Sequence, residues 1–497
     1  MSQPLLEKIL DHTSQTAKLQ STIALLQWDE QTGMPHQAAE YRAQQLMLLT
    51  GLVHQRQTDQ QLGDWLEQLD AQTLDSSADQ PERVIAIRMR REFERSRKLP
   101  QSLVEQLARA TSIGQQIWVE AKQRKDFSRF LPSLQAIIRL KKEYAACLAR
   151  PGETHYDALL DDYEQGATTE RLREIFSGLR QALVPLIQSG IARSKRLPKS
   201  VVEGTFSIDA QRRFSRWVAE KIGFDFQRGR LDETEHPFCT TLGPHDHRIL
   251  TRFSENSFSS GLFGVLHEAG HGMYEQGLPA EWYGTPLAFA ASLGVHESQS
   301  RLWENLVGLS IPFWEWAYPH VNEYFPGTFR DVPVSRLVED LNRVEASLIR
   351  IEADEVTYNM HILIRFEMEL ALVDGDLKAE DLPQAWKEKM EAYLGIVPSD
   401  DSTGALQDVH WSAGLFGYFP TYTLGNIYSA QLFQAANRDL GGLSPAISKG
   451  DFQPLLEWLR SRIHRHGQTY LPMELIERAT GEPVQSKYLI EHLATKC

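Results

Sequence analysis

Apolar side chains recur along this chain at three- and four-residue steps. Leu5, Ile9, Thr13 and Ala17, then Ile23 and Leu26, set the pattern near the N-terminus, and residues 84–93, 103–119 and 131–148 repeat it. That spacing lines up one face of a helix. The stretches between are rich in Leu, Ala, Glu, Gln, Lys and Arg, all good helix formers. Two-residue alternation is scarce. Its best instances lie within residues 238–254, beside His236-Pro237-Phe238 and the Gly243-Pro244 turn. Loops are expected at Arg150-Pro151-Gly152, Pro198, Pro326-Gly327 and Pro398-Ser399-Asp400-Asp401. Residues 261–276 contain no proline, so nothing breaks a helix there. The pattern predicts a mainly α fold with a small sheet. We expect a single unit over 1–497, with one helical lobe over roughly 1–200, a second over roughly 201–497, and a long groove between them.

Composition narrows the partners. Hydrophobic residues make up 42% of the 497 and charged residues 24%, a globular balance. The formal net charge of -14 excludes the basic footprint that nucleic-acid binding needs, and opposes docking on anionic membranes. Cys147, Cys239 and Cys497 are too few and too scattered for a disulfide framework or a CxxC metal clip. No signal peptide and no apolar run of about 20 residues is evident, so a soluble cytoplasmic location is expected.

The chemistry-bearing motif is His267-Glu268-Ala269-Gly270-His271. On a helix the two histidines share one face, one turn apart, where a single ion can bridge them. Glu268 can then reach an attacking water without ligating. Gly270 and Gly272 each weaken the helix by roughly 1 kcal/mol against alanine, which predicts close approach by another backbone or by substrate. Chance would place such a motif in roughly one in a few tens of chains with this many histidines, so a third ligand is needed to decide. A catalytic zinc usually has three protein ligands. Downstream, His296-Glu297-Ser298-Gln299 offers Glu297 as the better ligand; His296 could ligate instead, or orient Glu297. Zinc is the expected ion, one per subunit.

At this point the residues resemble the Taq-type thermostable metallocarboxypeptidases. The similarity runs through Trp28-Asp29 with Thr32, Met34 and Pro35, then His236-Pro237-Phe238, Asp246-His247-Arg248, the histidine motif, and His296 to Gln299. It continues through residues 348–355, Gly404-Ala405-Leu406-Gln407-Asp408-Val409-His410-Trp411 and Gly417-Tyr418-Phe419-Pro420-Thr421-Tyr422. One departure is that Leu250 stands where the family pattern has threonine, which here comes next at Thr251. The resemblance implies a two-lobed helical metallopeptidase with a substrate groove and a homodimer. It also implies removal of single C-terminal residues with broad specificity, and a divalent metal that is zinc or sometimes cobalt or manganese.

Peptide hydrolysis needs a base, oxyanion support and a substrate anchor. Glu268 is the expected base. By resemblance, His410 and Tyr422 support the oxyanion, with Tyr418 a further candidate. A free C-terminal carboxylate calls for an arginine fork, and Arg248 and Arg350 are the candidates, Arg350 on an expected helix. His236 either bonds the substrate backbone or caps a turn. Two other readings use the same residues: an oligopeptidase or aminopeptidase, and a non-catalytic helical metal-binding protein.

Overall fold

The computed structural model describes residues 3–497. The helical periodicity becomes α1 (Gln3–Thr32), α2 (Ala39–Gln57), α3 (Gln60–Gln72), α4 (Pro81–Lys98), α5 (Gln101–Arg124) and α6 (Phe127–Leu148). They are followed by α7 (His155–Leu160), α8 (Thr169–Ser194) and α9 (Ile208–Ile222). Side-chain caps set several starts: Asp126 accepts from the Ser128 amide, Thr168 from Arg171 and Ser207 from Ala210. Gly223, at φ 117°, ends α9 in a conformation that side chains resist.

A three-stranded sheet interrupts the helices: β1 (Gly229–Glu233), β2 (Phe238–Gly243) and β3 (Asp246–Thr251), in the order β1-β3-β2. β3 pairs parallel with β1, Arg230 opposite Arg248, and antiparallel with β2, Thr240 opposite Arg248. β2 and β3 lie where alternation predicted strands. β1 escaped notice because Gly-Arg-Leu-Asp-Glu is a half-exposed edge strand with one apolar side chain. After the sheet come α10 (Ser259–Gly277), α11 (Leu293–Arg301), α12 (Ile311–Tyr324), α13 (Val334–Leu341), α14 (Glu355–Asp374), α15 (Leu382–Leu394) and α16 (Pro420–Asp439).

The chain forms two compact, interleaved units. One comprises residues up to Ser96, Lys199–Leu341 and Ser429–Pro483; the other comprises Arg97–Pro198, Asn342–Tyr428 and Val484–Cys497. The N-terminal helices therefore group with the sheet and α10, rather than with α5 to α8. In the first unit Leu5, Leu6 and Ile9 of α1 pack with Leu66 and Leu69 of α3 and Val84, Ile85 and Phe93 of α4. α10 sits among α9, α11, β2 and β3.

In the second unit α14 is wrapped on all sides, burying even Thr357, Asn359, His361, Arg365 and Glu369. Glu369 shows what that costs and returns. Its carboxylate accepts from Tyr156 Oη at 2.6 Å, Trp411 Nε1 at 2.8 Å and the Gly417 amide at 2.9 Å. Burial nevertheless pushes its carboxyl up to about 7 from an ordinary 4.5. The unfolded chain gives up this proton first, so the group's contribution to stability falls as pH rises between those values. Glu369→Gln presents an amide hydrogen to one of the three donors. The variant should be less stable by about 1–3 kcal/mol at pH 5 in urea unfolding, with the deficit narrowing by pH 8. An unchanged midpoint at pH 5 would contradict this.

Candidate metal and peptide site

α10 carries His267 and His271 one turn apart, with ring centroids 4.9 Å apart. Gly270 between them is why a third group can reach them. A Cβ there would stand 2.6 Å from the Ser300 Cα and 2.6 Å from the Gln299 carbonyl oxygen, so α10 and α11 meet backbone to backbone. Gly272, by contrast, clears the Phe224 ring. α11, capped by Ser292, then delivers Glu297. Glu297 Oε2 stands 3.7 Å from His267 Nε2 and 3.5 Å from His271 Nε2. Around a tetrahedral ion with bonds of about 2.0–2.2 Å, ligand atoms lie about 3.4 Å apart. The three atoms therefore fit one such ion with little adjustment. His296 does not join them: its Nε2 bonds Glu275 Oε1 at 2.9 Å.

The trio is held from behind. Arg301 Nε donates to Glu297 Oε1 at 2.7 Å, which leaves Oε2 for the histidines. Past α11 a π-helical stretch, Leu302–Val307, carries Glu304, whose Oε2 accepts from His267 Nδ1 at 2.7 Å. That bond fixes the proton on Nδ1 and aims the Nε2 lone pair at the trio. Arg301 and Glu304 were not singled out from sequence. Their signal was the i, i+4, i+7 spacing of Glu297, Arg301 and Glu304.

The electrostatics follow from burial and these charges. Burial disfavours charged His267, but Glu297 and Glu304 outweigh it and raise the ring to about 9. Burial, then His296, pulls His271 down to about 3. Burial opposes ionised Glu297, yet Arg301 and His267 hold it well below the carboxylate range. Glu268 is pushed up to about 7 by burial, against the pull of His267.

Elsewhere in this unit, Arg248 forks onto Asp246, Nε to Oδ1 and Nη2 to Oδ2, both 2.9 Å. Its guanidinium lies 4.2 Å from the Trp28 ring centroid, and Arg230 lies 5.0 Å from the same ring. His236 is exposed in the turn between β1 and β2.

The second unit gathers Arg350, His410, Tyr418 and Tyr422. Arg350 is not on the expected helix. Asp354 caps α14 through the Val356 and Thr357 amides, so α14 starts at Glu355 and Arg350 falls in a 3₁₀ turn, Arg350–Glu352. Its Nε and Nη2 donate to Asp408 Oδ1 at 3.0 and 2.8 Å, and its Nη1 to Tyr358 Oη at 3.0 Å. Arg365 Nε donates to Asp408 Oδ2 at 2.7 Å. Two buried cations thus share one carboxylate. His410 Nε2 lies 3.3 Å from Tyr422 Oη. Burial draws His410 down to about 4, despite Asp408, so it is neutral at pH 7. Tyr418 packs on the His410 and Tyr422 rings, centroids 5.3 and 5.5 Å away.

A buried His-x-x-x-His helix, a facing carboxylate and an adjoining glutamate, set in a mainly helical chain, define a metallopeptidase. Comparison with known proteins takes the assignment further. The family model for carboxypeptidase Taq (M32) metallopeptidase matches residues 8–497. Thermostable carboxypeptidase 1 of Thermus thermophilus is 45% identical over 498 residues, 99% of this chain and 98% of that protein. Carboxypeptidase 1 of Bacillus subtilis is 37% identical, covering 99% and 97%. The crystal structure of M32 carboxypeptidase from Deinococcus radiodurans R1 superposes with a TM-score of 0.95 at 38% identity, covering 99% and 98% of the two chains. The chain belongs to the carboxypeptidase Taq (M32) family and is a metallocarboxypeptidase, a peptide hydrolase that uses a divalent metal ion.

The Glu304–His267 bond generates a direct expectation. In metal-stripped protein His267 should titrate near pH 9 by NMR. Glu304→Gln removes a facing negative charge and should lower that midpoint by about one unit or more. An unshifted midpoint would refute the role given to Glu304.

Proposed function

We propose that the enzyme releases single C-terminal residues, with broad specificity, at a zinc site formed by His267, His271 and Glu297. The observation that carries this reading is the 3.5 and 3.7 Å convergence of the three ligand atoms beside Glu268. A divalent ion in that position supplies Lewis acidity, acidifying water and polarising the scissile carbonyl; zinc suits the two imidazoles and one carboxylate, with cobalt or manganese as substitutes.

Glu268 is the general base. It takes the proton from the attacking water and hands it to the leaving amine. Glu268 adjoins His267 on α10 and is buried, which places its carboxylate beside the three converging ligand atoms. Neutral His410 and the Tyr422 hydroxyl serve as hydrogen-bond donors to the developing oxyanion, and Tyr418 packs their rings in place. Arg350 anchors the free carboxylate. Two guanidiniums against one Asp408 leave surplus buried positive charge, which favours an incoming anion. Arg248, already forked onto Asp246, and exposed His236 are the further peptide-binding groups.

A homodimer is proposed on the N-terminal helices. Tyr41, Met47, Leu48 and Leu52 of α2 expose large apolar surface, the first three 68, 72 and 66% exposed. A cytoplasmic location is supported by Cys147, Cys239 and Cys497 all being free. No helix among the described residues is long and apolar enough to cross a membrane.

The test is product analysis on a blocked peptide. Single residues should appear from the free C-terminus, stop on chelation and return with zinc. A C-terminally amidated peptide should resist cleavage; equal rates on both forms would reject an exopeptidase. Glu268→Gln should keep its zinc and lose about 10²–10⁴-fold in kcat.

A further inference from the structure

The metal ligand His271 is flanked by a polar chain to which neither the motif nor the proposed reaction assigns a task. The His296 ring lies flat against the His271 ring, centroids 4.3 Å apart and planes 23° apart. His296 Nε2 meets Glu275 Oε1 at 2.9 Å. The other oxygen, Oε2, accepts from Thr241 Oγ1 at 3.0 Å, and Thr241 Oγ1 lies 3.0 Å from His247 Nδ1. Glu275 is four residues beyond His271 on α10, so it stands on the same face one turn along. His296 belongs to α11, Thr241 to β2 and His247 to β3. One carboxylate thus joins three structural elements behind one ligand.

Proton counting fixes the direction of the two bonds to Glu275. The Thr241 hydroxyl has one hydrogen, and an ionised carboxylate has none to give. Thr241 Oγ1 therefore gives its hydrogen to Glu275 Oε2. At the other end His296 Nε2–H must donate to Glu275. Both of these bonds run inward to Glu275, whose carboxylate accepts from Thr241 and from the His296 ring.

We propose that Glu275 is a positioning residue for the metal centre: through His296 it sets the ring plane of His271, and through Thr241 it ties that ligand to the sheet. This rests on the reading that His271 is a ligand. The rotation left to His271 matters because its Nδ1 has no hydrogen-bond partner among the described residues. Its neighbour ligand His267 is oriented by Glu304; His271 is oriented by stacking, and the stacking ring is oriented by Glu275.

The experiment is zinc affinity, by competition with a chromophoric chelator, for the full chain and four variants. Glu275→Ala should raise the zinc Kd about 10–100-fold, the range for losing an outer partner of a metal ligand. Thr241→Val should give a smaller increase. Glu275→Gln should rescue most of the affinity: its amide oxygen still accepts from His296, and its NH₂ can donate to Thr241, which then donates to His247. His271→Ala is the control for the site itself. Should His271→Ala keep wild-type affinity, the ligand assignment fails. Loss in His271→Ala with wild-type affinity in Glu275→Ala overturns the proposal alone. Where Glu275→Ala fails to fold, wild-type affinity in Thr241→Val overturns it. A parallel thermal melt of metal-free protein separates the roles: a purely structural Glu275 would lower that melting point and leave the Kd unchanged.

Discussion

The backbone contact between α10 and α11 at Gly270 is the constraint on which the convergence of His267, His271 and Glu297 depends. A glutamate side chain reaches a histidine pair only when its own helix lies close. Here the closeness is set by a missing Cβ, since an alanine at 270 would press within 2.6 Å of Ser300 Cα. Backbone cannot yield to such a contact as a side-chain tip can. The methyl would push α11 away and draw Glu297 Oε2 out of the 3.5–3.7 Å range it keeps from both imidazoles. The helix-weakening glycine is thus the residue that makes a three-ligand geometry possible, at roughly 1 kcal/mol of helix propensity.

Both units solve the same electrostatic problem in opposite ways. Charges taken out of water must be compensated nearby. In the first unit, Glu297 and Glu304 face one arginine and two histidines, and the carboxylates raise His267 to about 9 in the absence of a cation. A site that holds a proton so firmly is one built for positive charge, and a divalent ion can take the place of that proton. In the second unit the surplus is positive, with Arg350 and Arg365 around Asp408. One cluster is short of positive charge and the other carries an excess of it.

The legible parts of the sequence were those with local periodicity. The helices α1, α4, α5 and α6, the β2–β3 pair and the α10 motif announce themselves through neighbours three, four or two residues away. Gly270 was partly readable: its helix-weakening cost pointed to close approach by another backbone or by substrate, and the structure shows backbone. What stayed hidden depends on position in space. β1 is a charged edge strand with no alternation to see. Arg350 was assigned to a helix because its neighbours suit one, yet the Asp354 cap starts α14 after it. Arg301, Glu304 and Glu275 look like ordinary surface charges on helices until the fold turns them toward His267, Glu297 and His296.

The two histidines of α10 show why such residues are hard to recognise one at a time. A charge-assisted bond from Glu304 orients His267, a local and direct solution. For His271 the equivalent atom, Nδ1, has no hydrogen-bond partner among the described residues. Its ring must be steered by the flat face of His296, and that face has a fixed angle only while Glu275 and Thr241 hold it. An identical pair on one helix is therefore supported asymmetrically, one ring by a single carboxylate and the other by a chain reaching into the sheet. The motif specifies where the imidazoles are. Their angles come from the elements packed around α10, and angle as well as position decides whether a lone pair points at an ion.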